Sequence, residues 1–224
     1  MITPSTDTGK TAGIPALLHG EVAVVTGAGR GNGAAIARGL AHAGAQVFLA
    51  DVDGESARAS AAAIDTGGRR TIGSPGFAEA WRRVMDVNLD GTMRAVEALL
   101  PDLRAGGGCI VNVASIQSLI AYQAGTSAYA SSKAALAQFT RSLAIELAPD
   151  GIRVNAIAPG FFATAMTAGT RSDPARLEAF RARTPMKRMG EPAELTGPVL
   201  FLVSQLSSYV TGVVLPVDGG LLAQ

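Results

Sequence analysis

The chain is poor in the groups that mark metal, disulfide or nucleic-acid proteins. Cys109 is its one cysteine among 224 residues, which excludes an intrachain disulfide and any cysteine-based zinc site. Its two histidines, His19 and His42, have no ligand-like neighbours in the sequence, so no metal centre is expected. Charged residues make up 17% of the chain, and the formal net charge is +1. Arg69–Arg70 and Arg82–Arg83 are isolated pairs read as solvated surface, and no nucleic-acid motif accompanies them. Long lipid-compatible runs are also missing. The uncharged stretch from Ala105 to Ser132 is broken by Asn112, Ser115, Gln117, Ser118, Gln123 and Thr126, so it does not read as a membrane helix. Residues 1–17 have no charged start followed by an apolar run, and are expected to form a flexible leader rather than a signal peptide. A soluble, cytoplasmic protein is the expectation.

Apolar residues, at 48%, supply ample material for a core, and aromatics contribute only 5% of the chain. The length fits one large α/β domain, expected over residues 18–224. Val22–Val25 is an apolar run entering a glycine-rich turn and reads as a buried parallel strand. A helix over Ala34–Ala43, a strand over Gln46–Ala50 and a helix from Glu55 to Ile64 follow. Phe77–Leu100 reads as a long helix interrupted at Gly91, then Cys109–Ala114 as a strand. Ser131–Leu147 is the next helix and Arg153–Ala158 the next strand. Thr164–Arg183 reads as an irregular, lid-like segment, followed by a helix over Ala193–Leu206 and a strand over Val213–Val217. This alternation predicts βαβ units and a doubly wound parallel sheet of the Rossmann type.

Between the first strand and helix lies Thr26-Gly27-Ala28-Gly29-Arg30-Gly31-Asn32-Gly33. Glycines there permit a tight turn, and the free amides at a helix start favour a pyrophosphate. Asn32 occupies the third glycine position of G-x-G-x-x-G, so the spacing instead follows T-G-x-x-x-G-x-G through Gly27, Gly31 and Gly33. Asp51 ends the second strand. A carboxylate there accepts hydrogen bonds from an adenosine ribose and repels a 2′-phosphate, which favours NAD over NADP. Arg30 argues the other way, as a guanidinium available to a phosphate. A helix-cap or turn role for Asp51 stays open.

Tyr129 and Lys133 stand four residues apart at a helix start and so share one face. A free phenol has a pKa near 10, and a neighbouring ammonium would lower it enough for proton exchange with a substrate oxygen. Ser115 follows a parallel strand, at the end where ligands of such sheets bind.

These features together resemble short-chain dehydrogenases/reductases of the classical type. The resemblance covers Leu18–Ile72 and Phe77 to the C-terminus. It is carried by TGAGRGNG, Asp51, VNLDG at Val87–Gly91, VNVAS at Val111–Ser115, YASSK, IRVNAIAPG at Ile152–Gly160, RMGEP at Arg188–Pro192, and the terminal VTG and VDGG. It implies reversible NAD(P)-dependent hydride transfer between an alcohol and a ketone. It makes Tyr129 the general acid/base, with Lys133 lowering its pKa and binding the nicotinamide ribose. Ser115 then orients the substrate oxygen, and Asn88 supports a water-linked proton path to Lys133. Pro159, Gly160 and Thr164 are expected to border the cofactor with Gly27, Arg30, Gly31, Asn32, Gly33 and Asp51. A homodimer or homotetramer is implied too, since helix 131–147 is apolar nearly all round.

The chain departs from the family between Arg70 and Phe77, where six residues stand in place of a strand–helix–strand passage. A deletion there predicts weak NAD binding unless other strands close the gap. The competing expectation is a non-catalytic subunit or scaffold. The Ser115–Tyr129 spacing is one residue long, which makes Ser118 a reserve candidate. Phe161, Phe162, Met166, Met186 and Met189 point to an apolar or mixed alcohol/ketone, or simply to core.

Overall fold

A computed structural model describes residues 17–51, 53, 55–56, 59–60, 77–122 and 125–224, with backbone alone for 77–80. The expected leader, most of the 55–64 helix and the short Arg70–Phe77 passage lie outside the described residues. Contacts divide the chain into two compact units, Met1–Thr71 and Ile72–Gln224.

In the first unit, β1 (Val22–Thr26) runs parallel to β2 (Gln46–Ala50), with α1 (Gly31–His42) between them in sequence. The register pairs Ala23 with Val47 and Val25 with Leu49. This strand face meets the buried stripe Ala34, Ile36, Ala37 and Leu40 of α1. Alternate residues point to the other face of the sheet. Val22 is 62% exposed there, beside exposed Val24 and Phe48. The expectation of a strand buried on both faces is therefore corrected for β1. Among the described residues, α1 covers one face of a two-stranded layer, and the strand alternates accordingly.

The second unit begins with α2 (Phe77–Met85), a π-helical turn (Asp86–Asp90) and α3 (Gly91–Gly106). The Gly91 amide reaches back five residues to the Asp86 carbonyl, which defines the wider turn. The helix runs past Pro101 rather than stopping at Leu100. Pro101 and Glu97 are exposed, so the carbonyl that proline leaves unpaired faces solvent. Next come β3 (Gly108–Val113), α4 (Ser127–Leu147) and β4 (Ile152–Pro159). After β4 follow a short α5 (Ala168–Arg171), α6 (Pro174–Arg183), α7 (Thr196–Val203) and β5 (Val214–Val217). The sheet order is β3-β4-β5, all parallel.

β4 is the central strand and is buried nearly throughout, as a parallel strand covered on both faces must be. Ile152 and Val154 join Val96, Leu143, Ala144 and Leu147 in the core between this sheet and α3–α4. Each such Val, Leu or Ile side chain contributes about 2 kcal/mol when fully buried. Arg153 donates to the carbonyls of Leu202, Ser204 and Val210 and to the Ser207 hydroxyl, tying the end of α7 to the strand. Asn155 bridges Val210 and Val213 with both ends of its amide, which sets the entry to β5.

Two expectations about helices change. Thr164–Arg183 is not irregular, because Asp173 caps the amides of Ala175 and Arg176 and Pro174 opens the ten-residue α6. The Asp-Pro pair starts a helix here rather than breaking one. α4 is not apolar all round, for Ser131, Ala134, Gln138, Arg141 and Ile145 form an exposed stripe opposite buried Leu136, Leu143 and Leu147. Among the described residues no helix is long and apolar enough to cross a membrane. No group of three metal-ligating side chains occurs among them either. Within each unit the strands are parallel and helices pack on the sheet, the Rossmann-type α/β architecture.

Candidate active site

The glycine-rich turn follows β1 directly. Gly27 and Gly31 hold φ of +67° and +58°, where a side chain would be strained. A Cβ on Gly33 would lie 2.1 Å from the Gly27 carbonyl oxygen, so only glycine lets α1 start this close to the turn. Arg30 precedes α1 without capping it through its side chain, and no acidic residue occupies the first turn. The buried Oδ1 of Asn32 has no hydrogen-bond partner. Free amides, a compact glycine backbone and a helix dipole fit the pyrophosphate of a dinucleotide. Asp51 accepts from the Gly29 amide at 2.7 Å and the Asp53 amide at 2.9 Å, so its carboxylate binds the turn together. Arg30 lies 3.6 Å from the Asp53 carboxylate.

In the second unit, Ser115 is buried just beyond β3 and heads a 3₁₀ turn over Ile116–Ser118, where its hydroxyl accepts from the Gln117 amide at 3.2 Å. Tyr129 sits in the first turn of α4, its phenol close enough to Ser115 for that hydroxyl to favour the phenolate. Lys133, one turn later, donates to the Val113 carbonyl at 2.7 Å, with its ammonium 5.9 Å from the Tyr129 ring centre. Burial pushes the Tyr129 phenol up, and the Ser115 hydroxyl partly offsets this. Burial also pulls Lys133 down to about 8. The expected lowering of the phenol by the ammonium is thus absent from this geometry. Lys133 is itself desolvated and engaged with a backbone oxygen.

Asn88 lies on the π-helical turn and reaches α4, but its amide donates to Ser132 at 3.0 Å. Ser132 is fully buried and donates in turn to the Tyr129 carbonyl at 2.8 Å. Reasoning from sequence missed Ser132. Its signal was a polar residue three positions after Tyr129, on the same helical face. Ser118 accepts from the Ser115 amide at 3.2 Å and donates to the Lys133 carbonyl at 2.8 Å. Its hydroxyl is occupied in fastening the turn to α4, whereas Ser115 is the serine that reaches Tyr129.

Pro159 ends β4, and the Gly160 amide donates to the Val217 carbonyl. A Cβ on Gly160 would come within 2.8 Å of the Asp218 backbone, so glycine lets the two strand ends approach. Thr164 opens the next 3₁₀ turn, where its amide donates to Thr167 and its carbonyl accepts from Arg171. The five apolar candidates divide. Phe162 and Met189 are buried, Met166 and Met186 are exposed, and Phe161 stacks between Tyr122 and Phe180. A cavity of about 110 Å³ opens beyond Gly160 between Phe161, Phe162, Met186 and Asp218.

Comparison with known proteins agrees with these elements. Residues 21–76 match the short chain dehydrogenase family and residues 77–222 the enoyl-(acyl carrier protein) reductase family. A galactitol 2-dehydrogenase (L-tagatose-forming) of Cereibacter sphaeroides is 38% identical over 242 residues, covering 91% of this chain and 95% of that protein. A cis-4-hydroxycyclohexanecarboxylate dehydrogenase of Sinomonas cyclohexanicum is 37% identical over 245 residues, covering 91% and 97%. Among solved structures, a gluconate 5-dehydrogenase from Burkholderia cenocepacia in complex with NADP and tartrate superposes with a TM-score of 0.82 at 30% identity, covering 94% of this chain and 98% of that one. The 242-residue match draws on about 204 residues of this chain, so about 38 of its positions have no counterpart here. The two family matches abut between Gly76 and Phe77. With both family matches and relatives spanning nine-tenths of its length, this chain belongs to the short-chain dehydrogenase/reductase family, as an NAD(P)-dependent alcohol/carbonyl oxidoreductase.

Proposed function

We propose that this chain interconverts a secondary alcohol and a ketone, with Tyr129 as general acid/base and Ser115 as the hydroxyl that positions the reacting oxygen. The approach of these two side chains carries the reading, since the Ser115 hydroxyl is what partly offsets the upward push of burial on the Tyr129 phenol. It brings a proton donor and an acceptor to one point beyond the carboxyl end of β3. When bound, the dinucleotide supplies the hydride acceptor or donor at its nicotinamide ring. The protein's part is to hold the substrate oxygen and move one proton. In oxidation the phenolate form of Tyr129 would take the alcohol proton as the hydride leaves carbon; in reduction the phenol would give its proton to the carbonyl oxygen and become the phenolate. Lys133 is assigned to the nicotinamide ribose, and lowering the phenol would require its ammonium to leave the Val113 carbonyl. Asn88 acts through Ser132, which fixes the backbone of Tyr129.

The turn from Gly27 to Gly33, with Arg30 and Asn32, is the proposed pyrophosphate site; Pro159, Gly160 and Thr164 are the residues proposed to contact the nicotinamide. NAD is the proposed form. Asp51 and Asp53 place two carboxylates just past β2, and Arg30 is drawn toward one of them. The NADP in related structures favours the other form, including the RhlG active-site complex from Pseudomonas aeruginosa. Residues 18–224 are proposed to act as one domain in the cytoplasm; a homodimer or homotetramer is proposed because Ile145 on α4 is 78% exposed.

The absence of about 38 aligned positions favours a second reading, in which the fold persists without turnover. One experiment separates the two. NADH is titrated by fluorescence into wild type and Tyr129→Phe, and alcohol oxidation is followed by NADH absorbance. The enzyme reading expects equal NADH affinity and turnover reduced about 10²- to 10⁴-fold in the variant. Absent NADH binding in the wild type establishes the second reading instead.

A further inference from the structure

We propose that Arg183 anchors a carboxylate on the substrate, so that the chain acts on hydroxy or keto acids. The inference rests on the oxidoreductase reading above and deepens it.

The Arg183 guanidinium lies 4.3 Å above the Tyr122 ring. Tyr122 packs on Phe161 at 5.0 Å, and Phe161 on Phe180 at 4.9 Å. Ile116, the residue directly after Ser115, is buried with Phe180 in the cluster against which Tyr122 and Phe161 pack. The loop leaving Ser115, the loop leaving Gly160 and the end of α6 therefore converge on one aromatic platform. Both loops emerge from the carboxyl ends of parallel strands, where such sheets receive their ligands.

Arg183 is exposed and has no carboxylate partner among the described ion pairs. Its backbone carbonyl accepts from the Gln224 side-chain amide, which fixes the end of α6. A guanidinium lying over a ring still has N–H groups to offer a planar acceptor. A carboxylate meets such groups with two parallel hydrogen bonds. Arg183 stacks on Tyr122, seven residues beyond Ser115, rather than on the Ser115–Tyr129 pair.

The test uses cyclohexanecarboxylate and cyclohexanecarboxamide, which share a shape and differ in charge. Their binding to the full chain with NADH present is measured by ligand-observed NMR for wild type, Arg183→Gln and Arg183→Lys. Wild type is expected to prefer the carboxylate by about tenfold or more. Arg183→Gln should erase that preference with NADH affinity unchanged, and Arg183→Lys should keep part of it. Oxidation of cis-4-hydroxycyclohexanecarboxylate against its carboxamide should follow the same order. Equal binding of the two probes to wild type, or an undiminished preference in Arg183→Gln, overturns the proposal. Should Arg183→Gln misfold, a reduced preference in well-folded Arg183→Lys supports the anchor, and full retention overturns the bidentate one. Failure of NADH to bind defeats the oxidoreductase reading itself; NADH binding without charge discrimination defeats the role of Arg183 alone.

Discussion

The Asn88 amide donates to the Ser132 hydroxyl at 3.0 Å, joining residues 44 apart in sequence across two helices. Ser132 has no solvent exposure, so Ser132→Ala leaves a donor facing a site that water does not readily fill. Such a loss costs about 1–3 kcal/mol. Denaturant unfolding of Ser132→Ala, Asn88→Ala and the double variant should give a coupling energy of about 1 kcal/mol. Strict additivity would mean that the bond contributes nothing.

The buried Lys133 makes stability depend on pH in a definite direction. Its folded pKa of about 8 lies below the ordinary lysine value of 10.5, so between those values the unfolded chain binds the extra proton. Stability therefore rises with pH across that window, and the burial cost is fully present below it. Urea midpoints at about pH 7 and about pH 9.5 should increase for wild type and stay level for Lys133→Met. The raised phenol of Tyr129 opposes this only at higher pH, where stability is lost as it ionises. A flat wild-type profile removes the buried charged lysine from the account.

Gly33→Ala tests the turn. The added methyl would meet the backbone oxygen of Gly27 at 2.1 Å, and no flexible side chain is there to yield. Overpacking of this kind costs about 1–3 kcal/mol, which corresponds to a loss of roughly 5- to 150-fold in NADH affinity if the turn itself distorts. Fluorescence titration reads the change. Unaltered affinity would place the pyrophosphate elsewhere.

Asp51→Asn probes cofactor choice. The amide preserves the shape and one acceptor of the carboxylate while removing the charge that repels a 2′-phosphate. The ratio of NADPH to NADH affinity should rise about tenfold, equal to about 1.4 kcal/mol. An unchanged ratio would transfer the choice to Arg30 and Asp53.

Much of this was legible in local sequence. The Val22–Thr26 run, the glycine turn and the Tyr129–Lys133 spacing each announce themselves within eight residues. Asp173-Pro174 was misleading because the same pair serves as a breaker or as a cap, and only the chain beyond it decides. Other features depend on partners far along the chain. Lys133 reaches Val113, Ser118 reaches the Lys133 carbonyl, and Asn88 meets Ser132, none of which any window near those residues reveals. The upward push on the phenol was hidden for the same reason, since burial is a property of packing and spacing describes only neighbours.

The wide turn at Asp86–Asp90 has a consequence for how this helix tolerates change in length. An α-helix advances about 100° per residue, and a π turn absorbs one extra residue without lengthening the hydrogen-bonded frame on either side. Removing Val87 would let the turn relax to ordinary α geometry and carry Asn88 about a quarter-turn or more around the axis. The flanking segments α2 and α3 would keep their phase, so the fold would survive while one side chain lost its address. A single inserted residue is thus the means by which a straight rod aims one amide at a neighbour it would otherwise miss.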